Sequence, residues 1–205
     1  MGAIKESSDE LNPAVNIPAT EVPPAKRRTP GDYLALAIAT CGVGFFPIAP
    51  GTLGALVGVA IYLPLLSFVP RAVMSRGVLV IPVETPWLTL RLLAIVIVTM
   101  IGVWSASRAE RVLQKKDPGM VVIDEVAGQM IAMLSVPAFF PGWWPVFSSF
   151  LLFRAFDIWK PYPIRRLEAL ESGLGIMADD VLAGIYALIV NSILISGYLL
   201  LATSR

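Results

Sequence analysis

FRAFDIWKPYPIRRLEALESGLGIMADD, residues 153 to 180, lies between two apolar runs, Trp143 to Leu152 and Val181 to Ala202. Arg154, Asp157, Lys160, Asp179 and Asp180 therefore stand where apolar segments end and begin. Charges at such places are costly unless they pair, bind a metal or reach water. Carboxylates beside cationic side chains suit a metal ion and a phosphate better than they suit packing.

The composition supports a chain built for lipid. Of 205 residues, 56% are hydrophobic and 15% charged, and the mean hydropathy is +0.74. A soluble domain carries about 25% charged residues. The net charge of +1, with basic residues scattered between apolar runs, makes no case for a nucleic-acid partner. A single cysteine, Cys41, excludes an intrachain disulfide and a cysteine-based zinc cluster. There is no histidine, which removes Ser-His-Asp hydrolases, histidine-phosphate enzymes and His-ligated zinc or iron. Cys41 is followed by GVGFFP, without the basic loop that a cysteine phosphatase needs. Any chemistry falls to carboxylates, Lys, Arg, hydroxyls and a metal.

Outward from the central stretch, the chain reads as an all-α, polytopic membrane bundle. Residues 1–30 are polar and rich in Pro, Ala, Ser and Glu, and are expected to be a disordered cytoplasmic tail ending in Lys26-Arg27-Arg28. Residues 31–205 form the membrane-embedded domain. Tyr33 to Phe46 is apolar but short, and Pro47, Pro50 and Gly51 break it, so a broken or re-entrant helix is expected. Expected crossings are 53–69, 88–105, 121–140, 146–159 and 181–202, the fourth being short. Residues 160–179 read as a soluble connection with Gly173 and Gly175 as flexible points. With the N-terminus in the cytoplasm, Arg108, Arg111, Lys115, Lys116, Lys160, Arg165 and Arg166 all face the cytoplasm. The Pro-Gly loop and the acidic pairs fall on that same face.

Asp124 and Glu125 open one apolar run, and Asp179 and Asp180 open another. Singly, such acids read equally as caps that favour helix N-termini. Two adjacent-acid pairs on one face favour a metal site, and hard oxygen ligands without His or Cys point to magnesium or manganese. Arg154, Asp157 and Lys160 are spaced by three, so a helix places them on roughly one side, either as an ion-pair ladder or as a phosphate site. Gly42-Val43-Gly44 through Pro50-Gly51-Thr52 offers backbone N–H groups for an anion, and Thr52 reads otherwise as a helix N-cap. DEVAG at 124–128 also resembles DVLAG at 180–184; each sets a carboxylate four residues before a glycine.

The blocks GVGFFPIAPGTLGAL, VVIDEVAGQMIAM, FRAFDIWKPYPIRRLE and GLGIMADDVLAG together resemble the phosphatidylglycerophosphatase A family. The resemblance covers about residues 31 to 202. It implies a compact, mostly helical, Mg2+-dependent phosphatase that converts the lipid phosphatidylglycerophosphate to phosphatidylglycerol, working at the cytoplasmic side of a bacterial inner membrane. It points to Asp124, Glu125, Asp157, Lys160, Asp179, Asp180 and the Pro50-Gly51-Thr52 loop. Under that reading Glu125, Asp157, Asp179 and Asp180 supply metal ligands, and Asp124, Asp157 and Lys160 serve catalysis. Arg154, Lys160, Gly51 and Thr52 then bind the phosphate. The reading from another class is a small transporter with a carboxylate-lined ion site, since broken helices and buried charge are also transporter traits.

Overall fold

A computed structural model describes residues 28–74, 84–137, 142–167 and 170–204, with the side chains of 67–74 and 84–86 left aside. Most of the polar tail, the apolar segment 78–83 and the end of the expected span 121–140 lie outside these residues. The described elements are all helical: α1 Pro30–Thr40, α2 Pro50–Met74, α3 Glu84–Leu113, α4 Ile123–Ala132, α5 Trp144–Trp159, α6 Ile164–Leu167 and α7 Ser172–Thr203. A 3-10 turn, Met133–Ser135, follows α4.

Two helices are long and apolar enough to cross a membrane: Trp87–Leu113 within α3, and α7. Only 22% and 17% of their most apolar windows are buried, so neither is the core helix of a soluble protein. Leu93, Val96 and Met100 of α3 and Ile189, Ile193 and Leu200 of α7 are among many large apolar side chains left exposed. A surface of this kind suits contact with lipid and is consistent with a membrane protein.

At the centre lies α4, which is not a crossing. Its ten residues span only about 15 Å, half of the roughly 30 Å hydrocarbon core. Every α4 residue except Asp124 and Glu125 is buried, and the helix packs chiefly on α2 and α7. The expected span 121–140 mistook burial in protein for burial in lipid, since ten to fourteen apolar residues look alike in both. Glycines make the packing possible. Side chains at Gly51, Gly54 and Gly58 of α2 would strike Glu125, Val122, Val126 and Gln129. Small residues that admit a neighbouring backbone are the usual device of helices in lipid.

A buried polar lock joins α7 to α5 and the 3-10 turn. The Asn191 amide donates to Ser135 Oγ at 2.7 Å and to the Pro145 carbonyl at 3.2 Å, and Ser148 donates to Asn191 Oδ1 at 2.6 Å. At the other end, Asp32 ties α1 to α3: it accepts from Arg108 Nε at 2.7 Å and from the Thr29 amide at 2.7 Å. The hydrogen bond from Arg108, then those from the Thr29 amide and hydroxyl, hold the Asp32 carboxyl down at about 2.

Candidate active site

One cavity of about 620 Å³ opens where several helix ends meet. The N-terminal end of α2 contributes Pro50 and Gly51, α4 gives Asp124 and Glu125, α5 gives Arg154 and Asp157, and α7 gives Asp179 and Asp180, with Lys160 just beyond α5. The acids separated by more than fifty residues in the sequence are thus brought together.

The α4–α7 crossing does this. Gly128 and Gly184 meet at the crossing, where a Cβ on Gly184 would sit 3.1 Å from the Gly128 Cα. Asp124 and Asp180 each precede their glycine by one turn, so they emerge side by side. Oxygens of Asp124, Glu125 and Asp180 lie within 4.8 Å of one another. Asp124 Oδ1, Glu125 Oε2 and Asp180 Oδ2 are buried and have no hydrogen-bond partner among the described residues. Burial first, then the facing Glu125 and Asp180 carboxylates, pushes the Asp124 carboxyl well above its usual range. Burial also raises Glu125, against a lowering hydrogen bond from Asp124. Three carboxylates at this spacing, each with an unpartnered oxygen, repel one another unless protons or a cation sit among them. The donor set is oxygen only, which fits a hard divalent ion such as Mg2+.

The remaining acids are committed to cations. Arg154 Nη1 donates to Asp157 Oδ2 at 2.5 Å, and Lys160 Nζ donates to Asp179 Oδ2 at 2.7 Å. Arg154 keeps its Nε buried and without a partner among the described residues. Lys160 does not continue the helix. It caps α5 in the left-handed region at φ 46°, its N–H bonded to the Phe156 carbonyl, with Pro161 following. A left-handed lysine costs about 1–2 kcal/mol, and such strain persists where the surroundings hold it, often at functional sites. The turn carries Lys160 to Asp179 of α7, so Arg154 pairs with Asp157 on α5 while Lys160 pairs across to α7.

Four expectations need correction. α7 begins at Ser172, so Asp179 and Asp180 stand two turns inside the helix and are not its caps. Gly173 and Gly175 read as flexible points of a soluble connection, yet Gly173 is helical and packs against the Val103 carbonyl and Ser107 of α3. Thr52 is not an N-cap: α2 starts at Pro50 and the Thr52 amide donates to the Ala49 carbonyl at 3.0 Å. Gly51 lines the cavity while Thr52 does not. Nor are the Gly42 and Gly44 amides open to an anion, since they donate to Thr40, to Oγ1 at 3.4 Å and to the carbonyl at 2.8 Å. The sequence reading also missed Glu110, near the end of α3, and Lys116 and Asp117 of the α3–α4 connection, which line the cavity. Asp117 sits at φ 44°, a conformation that no local pattern in QKKDPG announced.

Comparison with known proteins matches this arrangement to one family. The model for phosphatidylglycerophosphatase A covers residues 36–195. The chain belongs to the phosphatidylglycerophosphatase A family. It is 34% identical over 172 residues to the phosphatidylglycerophosphatase A of Haemophilus influenzae, covering 83% of this chain and 94% of that one. To the Escherichia coli phosphatidylglycerophosphatase A it is 30% identical over 161 residues, covering 78% and 80%. A Bacteroides thetaiotaomicron protein, provisionally named a phosphatidylinositol-3-phosphatase, is 38% identical over 162 residues, covering 78% and 93%. No solved structure matches the chain. Membership makes the chain a phosphatase, and the cavity of carboxylates and cations is its candidate active site.

Proposed function

We propose that the chain removes the terminal phosphate of phosphatidylglycerophosphate, giving phosphatidylglycerol and inorganic phosphate, with Mg2+ as its cofactor. The observation that carries this reading is the meeting of orphaned carboxylates from α4 and α7 with Arg154 and Lys160 in one cavity. Asp124, Glu125 and Asp180 hold the ion. When bound, the ion supplies positive charge to a phosphoryl oxygen and eases deprotonation of water. Arg154 and Lys160 offset the charge that spreads over the phosphoryl oxygens. Asp157, gripped by Arg154, orients the attacking water. Water adds to phosphorus, the bond from phosphorus to the glycerol oxygen breaks, and the freed alcohol takes up a proton.

The same proposal includes the setting. Residues 31–205 act as one membrane-embedded domain with α2, α3 and α7 as its crossings, α4 and α5 as a hairpin that enters from and returns to the cavity side, and α1 as a short re-entrant or surface helix. The tail 1–30 and the cavity face the cytoplasm, where the Lys and Arg bias places them.

The Bacteroides relative supports a second substrate, phosphatidylinositol 3-phosphate, also a lipid phosphomonoester. Phosphate release by purified protein from phosphatidylglycerophosphate, phosphatidylinositol 3-phosphate and phosphatidic acid decides between them. Preference for phosphatidylglycerophosphate supports the primary reading; preference for the inositol lipid replaces it; no release from any of them removes both.

A further inference from the structure

Lys160 stands between two concavities. Beyond the acidic cavity, an open groove of about 570 Å³ is lined by Trp159, Lys160, Pro161, Tyr162, Arg165 and Arg166. Their charges differ. Acids dominate the lining of the first; the second has three cations and, among the described residues, no carboxylate. An anion can enter the second groove with no metal ion to offset acidic walls.

The cations there are placed for a phosphate. Arg165 and Arg166 are exposed, and neither is ion-paired among the described residues. The Arg166 guanidinium lies over the Tyr162 ring, 5.0 Å from its centre. Stacking holds the planar fork while leaving its N–H edge for oxygen acceptors. Trp159 and Tyr162 are 72% and 71% exposed. Exposed amphipathic aromatics of this kind mark the level of lipid headgroups.

We infer that this groove is a subsite for the phosphodiester of the lipid substrate, and that Arg165 and Arg166 select substrates carrying a diester in addition to the terminal monoester. The inference rests on the lipid-phosphatase reading above and adds its determinant of substrate class. Phosphatidylglycerophosphate has two phosphates: the terminal monoester that is cleaved, and the diester joining the headgroup to diacylglycerol. The monoester occupies the acidic cavity, the diester lies on the two arginines, and Lys160 stands between them. Phosphatidic acid has a monoester and no diester, so it gains nothing from the groove.

The test compares wild-type protein with an Arg165→Ala/Arg166→Ala double variant in mixed micelles. Turnover is measured with phosphatidylglycerophosphate and with phosphatidic acid. Binding of glycerophosphoglycerol, a soluble diester, is measured separately and needs no turnover. Removing two charge-assisted contacts should lower kcat/KM for phosphatidylglycerophosphate by about tenfold or more, mainly through KM. Phosphatidic acid turnover should hold, diester binding should vanish, and Arg165→Lys/Arg166→Lys should recover part of both losses. An equal fall on the two lipids overturns the subsite. So does unchanged diester binding by the double variant, or none by the wild type. If the wild type releases no phosphate from any lipid, the catalytic reading fails, while the binding arm still decides the groove.

Discussion

Gly128 of α4 and Gly184 of α7 touch backbone to backbone: a Cβ on Gly184 would collide with the Gly128 carbonyl oxygen and lie 3.1 Å from its Cα. This contact sets how far apart Asp124 and Asp180 stand, one turn upstream on each helix. Gly184→Ala must force the helices apart, and overpacking costs about 1–3 kcal/mol. The variant should melt at lower temperature and lose at least about tenfold in phosphate release, because small misplacements of a catalytic group are expensive. Gly197→Ala, within α7 and with nothing within 4 Å of the added carbon, should leave phosphate release unchanged and not lower the melting temperature. Thermal unfolding and phosphate release in the same micelles check the pair.

The carboxylate trio predicts opposite effects on apo and metal-loaded protein. Without a cation, Asp124, Glu125 and Asp180 repel one another, so Asp180→Asn should unfold at a higher temperature than wild type in EDTA. Adding Mg2+ should raise the wild-type Tm by mass action and leave that of the variant nearly fixed. A Mg2+-induced shift of equal size in both proteins would remove Asp180 from the ion site.

Lys160 and Asp179 form a pair in which Asp179 is buried. Lys160→Met strands that carboxylate, and breaking one side of a buried pair costs about 3–5 kcal/mol. The double variant Lys160→Met/Asp179→Asn should recover most of this stability and none of the activity. Chemical or thermal unfolding beside kcat separates the structural part of the lysine from its part in binding phosphate.

Much of this site was legible in the sequence because charge in an apolar chain is conspicuous. Asp124, Glu125, Arg154, Asp157, Lys160, Asp179 and Asp180 all line the cavity. The resemblance between DEVAG and DVLAG is now explained, since the two segments cross at their glycines. The helix boundaries were harder. Gly173 and Gly175 read as chain breaks, yet α7 runs through them, with α3 packed where a Gly173 side chain would be and Leu170 where a Gly175 side chain would be. The span 121–140 failed for a related reason: hydropathy does not distinguish lipid from a protein interior. Lys116 and Asp117 were invisible because a soluble-looking KKD gives no hint that its loop closes over a cavity.

Asp32 predicts a pH effect remote from the chemistry. Its carboxyl is held at about 2 against an ordinary 3.8, chiefly by Arg108. A depressed carboxyl contributes stability that is present above its unfolded value and lost as pH falls through the folded one. The Tm difference between wild type and Asp32→Asn should therefore be constant above about pH 4.5 and shrink as pH falls toward 2. A difference that stays constant over that range would show that the α1–α3 tie does not depend on the charge.

The account depends most on one cation shared by carboxylates from α4 and α7. Phosphate release from phosphatidylglycerophosphate, followed as Mg2+ is titrated into EDTA-treated wild type and Asp180→Asn, tests it most directly. The wild type should be inactive without the ion and saturate as it is added, and Asp180→Asn should release no phosphate at any concentration. Full release in EDTA, or wild-type turnover by Asp180→Asn, would contradict it.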